Sequence, residues 1–195
     1  MAQHHSMYTR PKFDIIGSVQ VPISPYVFIT GPAGTGKPFI INLITNDLKN
    51  KRSKYLLLAP TVVAAQNIGG QTIHSALRIH ETCSGFQTLA SYDHEFFKDL
   101  KQIDTIIIDE ISMVSAALFS FISDMFSDIQ QKTIAFGGLN IIVVGDLAQL
   151  PPVTGLQVYK SSEWKLFYPL FLKEPQCQNQ DQEFYKGADI YYVIF

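Results

Sequence analysis

The chain has 195 residues, of which 47% are apolar and 16% are charged, and its formal net charge is −2. This apolar content excludes an intrinsically disordered protein, and the length suits one domain with an extension. The slight negative charge excludes a generally basic nucleic-acid binder but is compatible with a local basic groove. The two cysteines, Cys83 and Cys177, are far apart and lack metal-ligand spacing, so we expect neither a disulfide framework nor a zinc site.

The N-terminal 25 residues contain no apolar signal segment, and Pro22 and Pro25 interrupt regular structure there. We therefore expect an irregular lead-in over residues 1–25. No later run reaches the roughly 20 apolar residues of a membrane-spanning helix, and we expect an intracellular protein. Residues 81–100 show no clear period and predict a loop or a short helix.

Four short apolar runs that do not alternate with polar residues predict strands buried on both faces. Between them lie segments with helical spacing, and this order predicts an α/β domain with a parallel sheet and helices on both faces. The predicted strands cover residues 26–30, 55–59, 105–109 and 140–145. The clearest helical stripe, interpreted as core packing, contains Leu118, Phe121, Ile122, Met125, Phe126 and Ile129.

A glycine-rich segment, GPAGTGKP, follows the first predicted strand over residues 31–38 and precedes an amphipathic segment. Its G-x-x-x-x-G-K spacing in that context predicts a phosphate loop, whose backbone N–H groups cradle phosphate oxygens at a helix N-terminus. Lys37 would reach the β- and γ-phosphates of a nucleotide. The candidate binding residues are Gly31, Ala33, Gly34, Thr35, Gly36, Lys37 and Pro38.

Pro38 occupies the position at which a phosphate loop needs Ser or Thr. Proline has neither the hydroxyl that ligates Mg²⁺ nor a backbone N–H, although a first helical turn tolerates it. We expect Pro38 to push Lys37 away from helical dihedral angles. Losing one hydrogen bond to a charged group is expected to weaken nucleotide binding roughly tenfold to a hundredfold.

Polar residues follow the third and fourth predicted strands, at the edge of a parallel sheet where ligands bind. Asp109 is placed to hold Mg²⁺, and Glu110 is placed to polarise the attacking water. Gln149, in the loop GDLAQLPPV, could sense the γ-phosphate. The alternative interpretations are a solvated strand exit for the acidic pair and a proline-stiffened loop with a surface glutamine for Gln149.

Taken together, these motifs resemble the Pif-one-like DNA helicases of superfamily one, which are related to the RecD helicases. The resemblance covers roughly residues 25–186. It implies a RecA-like phosphate-loop motor domain over residues 26–186, with residues 187–195 as an unmatched apolar tail. The segments that carry it are GPAGTGK (31–37), APT (59–61), NIGGQTIHSAL (67–77), IIIDEISMV (106–114), FGG (136–138), GDLAQLPPV (145–153) and LKEPQ-x-QNQDQEFY (172–185).

The resemblance implies an ATP-dependent 5′-to-3′ DNA helicase that uses ATP and Mg²⁺ and acts on single-stranded DNA. Such a protein serves DNA repair, recombination and telomere or genome maintenance, in the nucleus or the mitochondrion. It also implies catalytic roles for Lys37, Asp109, Glu110 and Gln149, with Asp109 as the metal ligand. The residues that match DNA-holding positions are Thr61, Thr72, His74 and Ser75.

Three residues depart from the family pattern. Pro38 replaces Ser or Thr, and Val62 stands where glycine usually follows APT, which is expected to disturb a DNA-facing turn. Cys177 stands where the family has an arginine that contacts the γ-phosphate. The chain also contains only the first of the two motor domains that the resemblance implies, so we expect that it cannot complete a translocation cycle by itself.

Two other functions stay open at the level of sequence. The first is a non-catalytic remnant that binds nucleotide or single-stranded DNA weakly, and the second is an unrelated phosphate-loop enzyme such as a small kinase. A basic cluster near the first predicted helix is interpreted as a solvated helix end rather than a DNA groove. It comprises Lys49, Lys51, Arg52 and Lys54.

Overall fold

The computed structural model describes residues 13–16, 19–22, 25–83 and 85–172. The strands are β1 (Phe13–Ile16), β2 (Val19–Pro22), β3 (Tyr26–Thr30), β4 (Tyr55–Ala59), β5 (Gln71–Thr72), β6 (Ile79–Thr82), β7 (Gly85–Thr88), β8 (Thr105–Ile108), β9 (Asn140–Gly145) and β10 (Tyr168–Phe171). The α-helices are α1 (Lys37–Asn50), α2 (Val62–Ile68), α3 (Ile73–Ala76), α4 (His94–Lys101) and α5 (Ala116–Gln130). Short 3₁₀ helices cover Leu89–Ser91, Ile111–Met113, Ala135–Gly138, Val158–Lys160 and Glu163–Leu166.

Six strands form one parallel sheet in the order β10-β3-β9-β8-β4-β5. This confirms the predicted α/β class. Three of the four predicted strands have the predicted bounds, and β8 ends one residue early at Ile108. Asp109 therefore lies just beyond the strand rather than at its end.

The two outermost strands of the sheet were not predicted from the sequence. β5 has two residues, too few to show any pattern. β10 contains Pro169, which is tolerated because β10 pairs only with β3 among the described residues. The N–H of Leu172 donates to the carbonyl of Thr30 at 2.7 Å, so β10 ends beside the first residues of the phosphate loop.

Each face of the sheet has its own apolar cluster, which confirms the helices predicted on both faces. α1 and α2 cover one cluster, and α5 covers the larger one. Phe119 of α5 is fully buried, although it was not counted in the predicted stripe, whereas Phe121 is half-buried. None of the helices in the described ranges is long and apolar enough to cross a membrane.

Two hairpins lie outside the main sheet. β1 and β2 pair antiparallel within residues 1–25, where the sequence predicts an irregular segment. β6 and β7 pair antiparallel and, together with α4, fill residues 81–100, where a loop or short helix was predicted. Cys177 and the apolar tail at residues 187–195 lie outside the described residues.

Candidate nucleotide site

Three adjacent strands bring the predicted nucleotide-site residues to one edge of the sheet. β9 lies between β3 and β8, with Thr30 opposite Gly145 and Ile108 opposite Val143. Because all three strands are parallel, the segments that follow them leave the sheet at the same edge. These segments are the phosphate loop after β3, the acidic turn at residues 109–113 after β8, and the loop that carries Gln149 after β9.

Close packing and left-handed dihedral angles explain the glycines of the phosphate loop. A Cβ atom on Gly31 would lie 2.8 Å from the Thr35 hydroxyl and 2.9 Å from the carbonyl oxygen of Leu172. Gly34 and Gly36 both have φ of 81°, which a residue with a Cβ rarely adopts. The loop turns sharply between β3 and α1 for this reason, and Ala33 lies exposed at its tip.

Lys37 is the first residue of α1, and its ammonium group points back into the phosphate loop. Its Nζ donates to the carbonyl oxygens of Gly31 at 2.7 Å and Pro32 at 2.9 Å, and the residue is 9% exposed. The Thr35 hydroxyl donates to the same Pro32 carbonyl at 2.8 Å. The loop thus holds its cation on the inner side of its own curve, where phosphate oxygens are bound in phosphate loops.

Pro38 occupies the first turn of α1 without displacing Lys37. The helix begins at Lys37, and the N–H of Ile40 donates to the carbonyl of Gly36 at 3.1 Å. Our expectation that Pro38 removes Lys37 from helical geometry is therefore wrong. The reason is that N–H groups of a first turn have no acceptor within the helix, so a proline there leaves the helical hydrogen bonds intact.

The acidic turn contains one buried carboxyl group and one residue with an unusual backbone. Asp109 is 7% exposed, and its N–H donates to the Leu58 carbonyl at 2.9 Å. Burial raises the pKa of the Asp109 carboxyl above its ordinary value, and the nearby charge of Lys37 opposes part of this rise. Glu110 has φ of 50°, a left-handed conformation that is uncommon outside glycine and recurs at functional sites.

Gly145, at the end of β9, allows this turn to approach the sheet closely. A Cβ atom there would lie 3.0 Å from the backbone nitrogen of Ile111 and 3.1 Å from its Cγ2. The N–H of Met113 donates to the Glu110 carbonyl at 3.0 Å and closes the turn. The conformation of the Glu110 backbone therefore depends on the absence of a side chain at Gly145.

Gln149 is exposed in the loop that follows β9, and Asp146 organises that loop. The carboxylate of Asp146 accepts hydrogen bonds from the N–H of Ala148 at 3.0 Å and from Gln149 Nε2 at 3.3 Å. Asp146 was not among the predicted site residues. The sequence contained a sign of this role, because an Asp at the start of a turn commonly accepts a hydrogen bond from the backbone N–H two residues later.

The four residues matched to DNA-holding positions lie just after β4 or at and after the end of β5, on the far side of β8 from the phosphate loop. The Thr61 hydroxyl accepts from the N–H of Ala64 and caps α2, and the Thr72 hydroxyl accepts from the N–H of Ser75 and caps α3, both at 3.2 Å. His74 is exposed, as is Ser75. Both threonine hydroxyls thus have structural hydrogen bonds, and the DNA-binding role of these residues stays a prediction.

Val62 is the first residue of α2, and its side chain is 61% exposed. The backbone φ of Val62 is not positive. Val62 therefore fits the first turn of α2 without backbone strain, and its effect on a DNA-facing turn stays a prediction.

The basic cluster lies at the other edge of the sheet. Lys49 is in the last turn of α1, and Lys54 directly precedes β4. The Lys51 Nζ lies 2.7 Å from the Asp47 carboxylate one turn earlier in the chain. These positions fit a solvated helix end, as predicted.

Few protein groups at the nucleotide edge can ligate a metal. Among the described residues, no group of three or more His, Cys, Asp or Glu side chains is placed to hold a metal ion. Asp109 could provide one oxygen ligand of the kind that suits Mg²⁺, but Pro38 has no hydroxyl to provide a second. The donor set therefore fits Mg²⁺ only in part.

Comparison with known proteins assigns the chain to a family. A family model described as PIF1-like helicase matches residues 10–183. The chain belongs to the PIF1-like helicase family. Its relatives include the ATP-dependent DNA helicase PIF1 of Danio rerio, 40% identical over 130 residues, and that of Homo sapiens, 35% identical over 169 residues. These alignments cover 66% and 81% of this chain but only 20% and 26% of the two relatives.

Solved Pif1 structures show the same fold. The chain is similar to a Bacteroides Pif1 bound to single-stranded DNA, with a TM-score of 0.67 and 28% identity over 77% of this chain and 38% of that one. It is also similar to the Pif1 helicase of Candida albicans, with a TM-score of 0.66 and 30% identity over 76% of this chain and 36% of the other. Membership of this family rules out the unrelated small kinase that the phosphate loop alone left open.

Proposed function

We propose that this chain is the first motor domain of an ATP-dependent 5′-to-3′ DNA helicase, in which ATP binding and hydrolysis drive movement along single-stranded DNA. One observation carries the proposal: the phosphate loop, the acidic turn and the Gln149 loop leave three adjacent parallel strands at the same edge. The relatives named as ATP-dependent DNA helicases support it, as does a similar Bacteroides Pif1 in complex with ADP-AlF4 (TM-score 0.67, 27% identity). DNA repair, recombination and genome maintenance in the nucleus or mitochondrion are part of the same proposal.

Each site residue has a role that its position supports. The backbone N–H groups of the phosphate loop and the ammonium of Lys37 bind the nucleotide phosphates. To do so, Lys37 exchanges its hydrogen bonds to Gly31 and Pro32 for phosphate oxygens. Glu110 orients the attacking water, and Gln149, held by Asp146, approaches the γ-phosphate.

Mg²⁺, when bound, would neutralise charge on the phosphates. Asp109 is the residue that would hold it. Burial raises the pKa of this carboxyl, and a bound cation would oppose the rise by favouring the ionised form. Because Pro38 has no hydroxyl, the remaining ligands of a bound Mg²⁺ would have to come from outside residue 38, for example from phosphate oxygens and water.

The alternative is a non-catalytic domain that binds nucleotide or single-stranded DNA weakly, and Pro38 is the observation that favours it. α1 begins at Lys37 with this proline in its first turn, and proline lacks the hydroxyl and the N–H that Ser or Thr would supply there. The loss is thus chemical rather than structural. We expect weakened nucleotide binding that one substitution restores.

Calorimetric titration of Mg²⁺-ATP into this chain and into Pro38→Ser tests the proposal. Serine is expected to tighten binding by roughly tenfold to a hundredfold, because it restores a hydrogen bond to a charged group and a metal ligand. The double variant Pro38→Ser/Lys37→Met is the control and should lose that gain. If neither the natural chain nor Pro38→Ser binds ATP, the proposed nucleotide site is wrong. If both bind equally with Mg²⁺ dependence, the role assigned to Pro38 is wrong.

Hydrolysis separates the motor domain from the non-catalytic alternative. ATP turnover by Pro38→Ser that rises with added single-stranded DNA supports the motor function, and Glu110→Gln should abolish this turnover while leaving binding in place. ATP binding without any turnover in Pro38→Ser would favour the non-catalytic domain.

A further inference from the structure

A groove of about 420 Å³ lies between β7 and the second half of α5, away from the nucleotide edge. Phe86 and Phe121 line it, with their ring centroids 5.9 Å apart, and buried Met125 and Ile129 contribute apolar surface. α5 begins next to the acidic turn, and Asp128 lies twelve residues further along it, about 18 Å at 1.5 Å per residue. The groove is therefore a separate feature from the nucleotide site.

Two carboxylates of α5 stand at this groove. Asp124 and Asp128 both line it, are exposed and lie one helical turn apart. Within the described residues, neither carboxylate has an ion-pair or hydrogen-bond partner; the ion pairs there are Lys51–Asp47 and Arg78–Asp93. The groove thus combines an aromatic wall with two negative charges that a cationic ligand can neutralise.

β7, which lines the groove with Phe86 and Thr88, also has an open edge. Across the described ranges, β7 pairs with β6 alone, so its other edge carries no strand. The N–H of Leu89 donates to the carbonyl of Arg78, so Leu89 and Arg78 form a hydrogen-bonded pair directly beyond the paired residues of β7 and β6. Because hydrogen-bonded and non-bonded pairs alternate, Gln87 bonds to β6, and the N–H and C=O groups of Phe86 and Thr88 point away from it.

We propose that this groove, built from β7 and α5, binds an extended basic segment of a partner protein as an added strand. Backbone hydrogen bonds to Phe86 and Thr88 would hold the segment, as in other cases of strand addition. Its apolar side chains would pack on Phe86 and Phe121, and its lysine or arginine side chains would reach Asp124 and Asp128. The proposal does not depend on nucleotide binding or on helicase activity.

Electrostatics select this occupant over nucleic acid. A phosphate backbone brought to this groove meets two carboxylates, and the repulsion disfavours DNA or RNA there. A peptide of alternating basic and apolar residues satisfies both requirements, because alternate side chains of a strand point to opposite sides. The chemistry that fits is therefore a cationic, extended polypeptide.

The test is a fluorescence anisotropy titration of this chain with a labelled decapeptide of alternating lysine and valine. The variant Asp124→Asn/Asp128→Asn keeps the shape of both side chains and removes their charge. The matched control, Asp47→Asn/Glu95→Gln, removes two exposed charges that do not line the groove. We expect saturable binding to this chain. The asparagine variant should lower the affinity about tenfold, because two exposed ion pairs contribute several-fold each, and the control should keep the affinity within about twofold.

Hydrogen exchange distinguishes strand addition from loose electrostatic attraction. The peptide should slow exchange of the Phe86 and Thr88 amides, and a glutamate–valine decapeptide should not. The proposal is overturned if binding of the lysine–valine peptide does not saturate up to about 1 mM, because a dissociation constant of that size corresponds to a binding free energy of only about 4 kcal/mol. It is also overturned if the double asparagine variant binds unchanged, if the two amides gain no protection, or if a ten-nucleotide oligothymidylate protects them equally.

Discussion

The phosphate loop and the acidic turn lie at the same edge of the sheet, and they differ in which of the predicted ligand groups each one contains. In the phosphate loop the backbone geometry is complete, with Gly31 packed against Leu172 and Lys37 aimed inward, but Pro38 removes a hydroxyl and an N–H. In the acidic turn both carboxyl groups are present, and Asp109 is buried. The phosphate loop has the predicted shape without the full set of ligand groups, whereas the acidic turn has both of its predicted carboxyl groups.

This difference shows that the fold and the chemistry of a site have separate physical origins. The path of the phosphate loop is set by glycines and by packing on β10, and neither depends on the residue at position 38. Ligand chemistry depends on individual side-chain and N–H groups, which a substitution can remove without disturbing that path. The following four changes test this separation, beginning with the largest expected effect.

Gly31→Ala should damage the shape of the phosphate loop. Its Cβ would lie 2.8 Å from the Thr35 hydroxyl and 2.9 Å from a backbone oxygen of Leu172, so the loop or β10 must move. We expect a loss of about 3 kcal/mol in the free energy of unfolding, measured by urea denaturation, and loss of ATP binding. Gly69→Ala is the control, because its φ of 67° adds strain of about 1 kcal/mol while nothing lies within 4 Å of the new Cβ. Equal losses in the two variants would contradict the packing argument.

Gly145→Ala should damage the shape of the acidic turn. A Cβ there would lie 3.0 Å from the backbone nitrogen of Ile111, a contact that a shift of a few tenths of an ångström can relieve. We expect a smaller loss, about 1–2 kcal/mol, and faster hydrogen exchange at the Met113 amide, which donates to Glu110. Unchanged exchange at Met113 would show that Gly145 does not support the turn.

Asp109→Asn should stabilise the protein while removing the proposed metal ligand. Burial raises the pKa of this carboxyl, so the ionised form at neutral pH opposes folding. We expect a gain of up to about 1 kcal/mol at pH 7 in urea denaturation. The gain should shrink as the pH falls and vanish below about 3.9, where the carboxyl is protonated in both the folded and unfolded states.

Exposed Asp99 provides the control for this change, because Asp99→Asn should leave the free energy of unfolding almost unaltered. A gain for Asp109→Asn that persisted at pH 3 would assign the effect to packing rather than to charge.

Asp146→Ala should have the smallest effect, because the Gln149 loop is largely exposed. It removes the acceptor for the Ala148 N–H and for Gln149 Nε2. We expect a loss of about 0.5 kcal/mol and faster exchange of the Ala148 amide. Asp146→Asn keeps the Oδ1 acceptor and should leave that amide close to its original rate. If both variants exchange alike, the loop is organised by Pro151 and Pro152 rather than by Asp146.

Local signals in the sequence were enough to predict the centre of the fold. The runs that became β3, β4 and β9 are continuous and apolar because these strands are buried on both faces, and their bounds matched the prediction. The phosphate loop was predictable because its glycines and lysine are required at fixed spacing. Asp109 and Glu110 were predictable because they directly follow a buried strand.

The remaining features needed the tertiary structure, since they depend on contacts between residues far apart in the chain. β10 is a strand only because it pairs with β3. Tyr168 lies opposite Val27, which is 141 positions earlier in the chain. Three further features depend on packing and hydrogen bonds. Pro38 leaves Lys37 in the helix, Gly145 makes room for Ile111, and Asp146 holds Gln149. The sequence by itself determined the family, the four central strands of the sheet and the chemical groups at its edge, because these depend on residue types at short spacing. Only the tertiary structure decided which groups are buried, which are free to bind, and where a second groove lies.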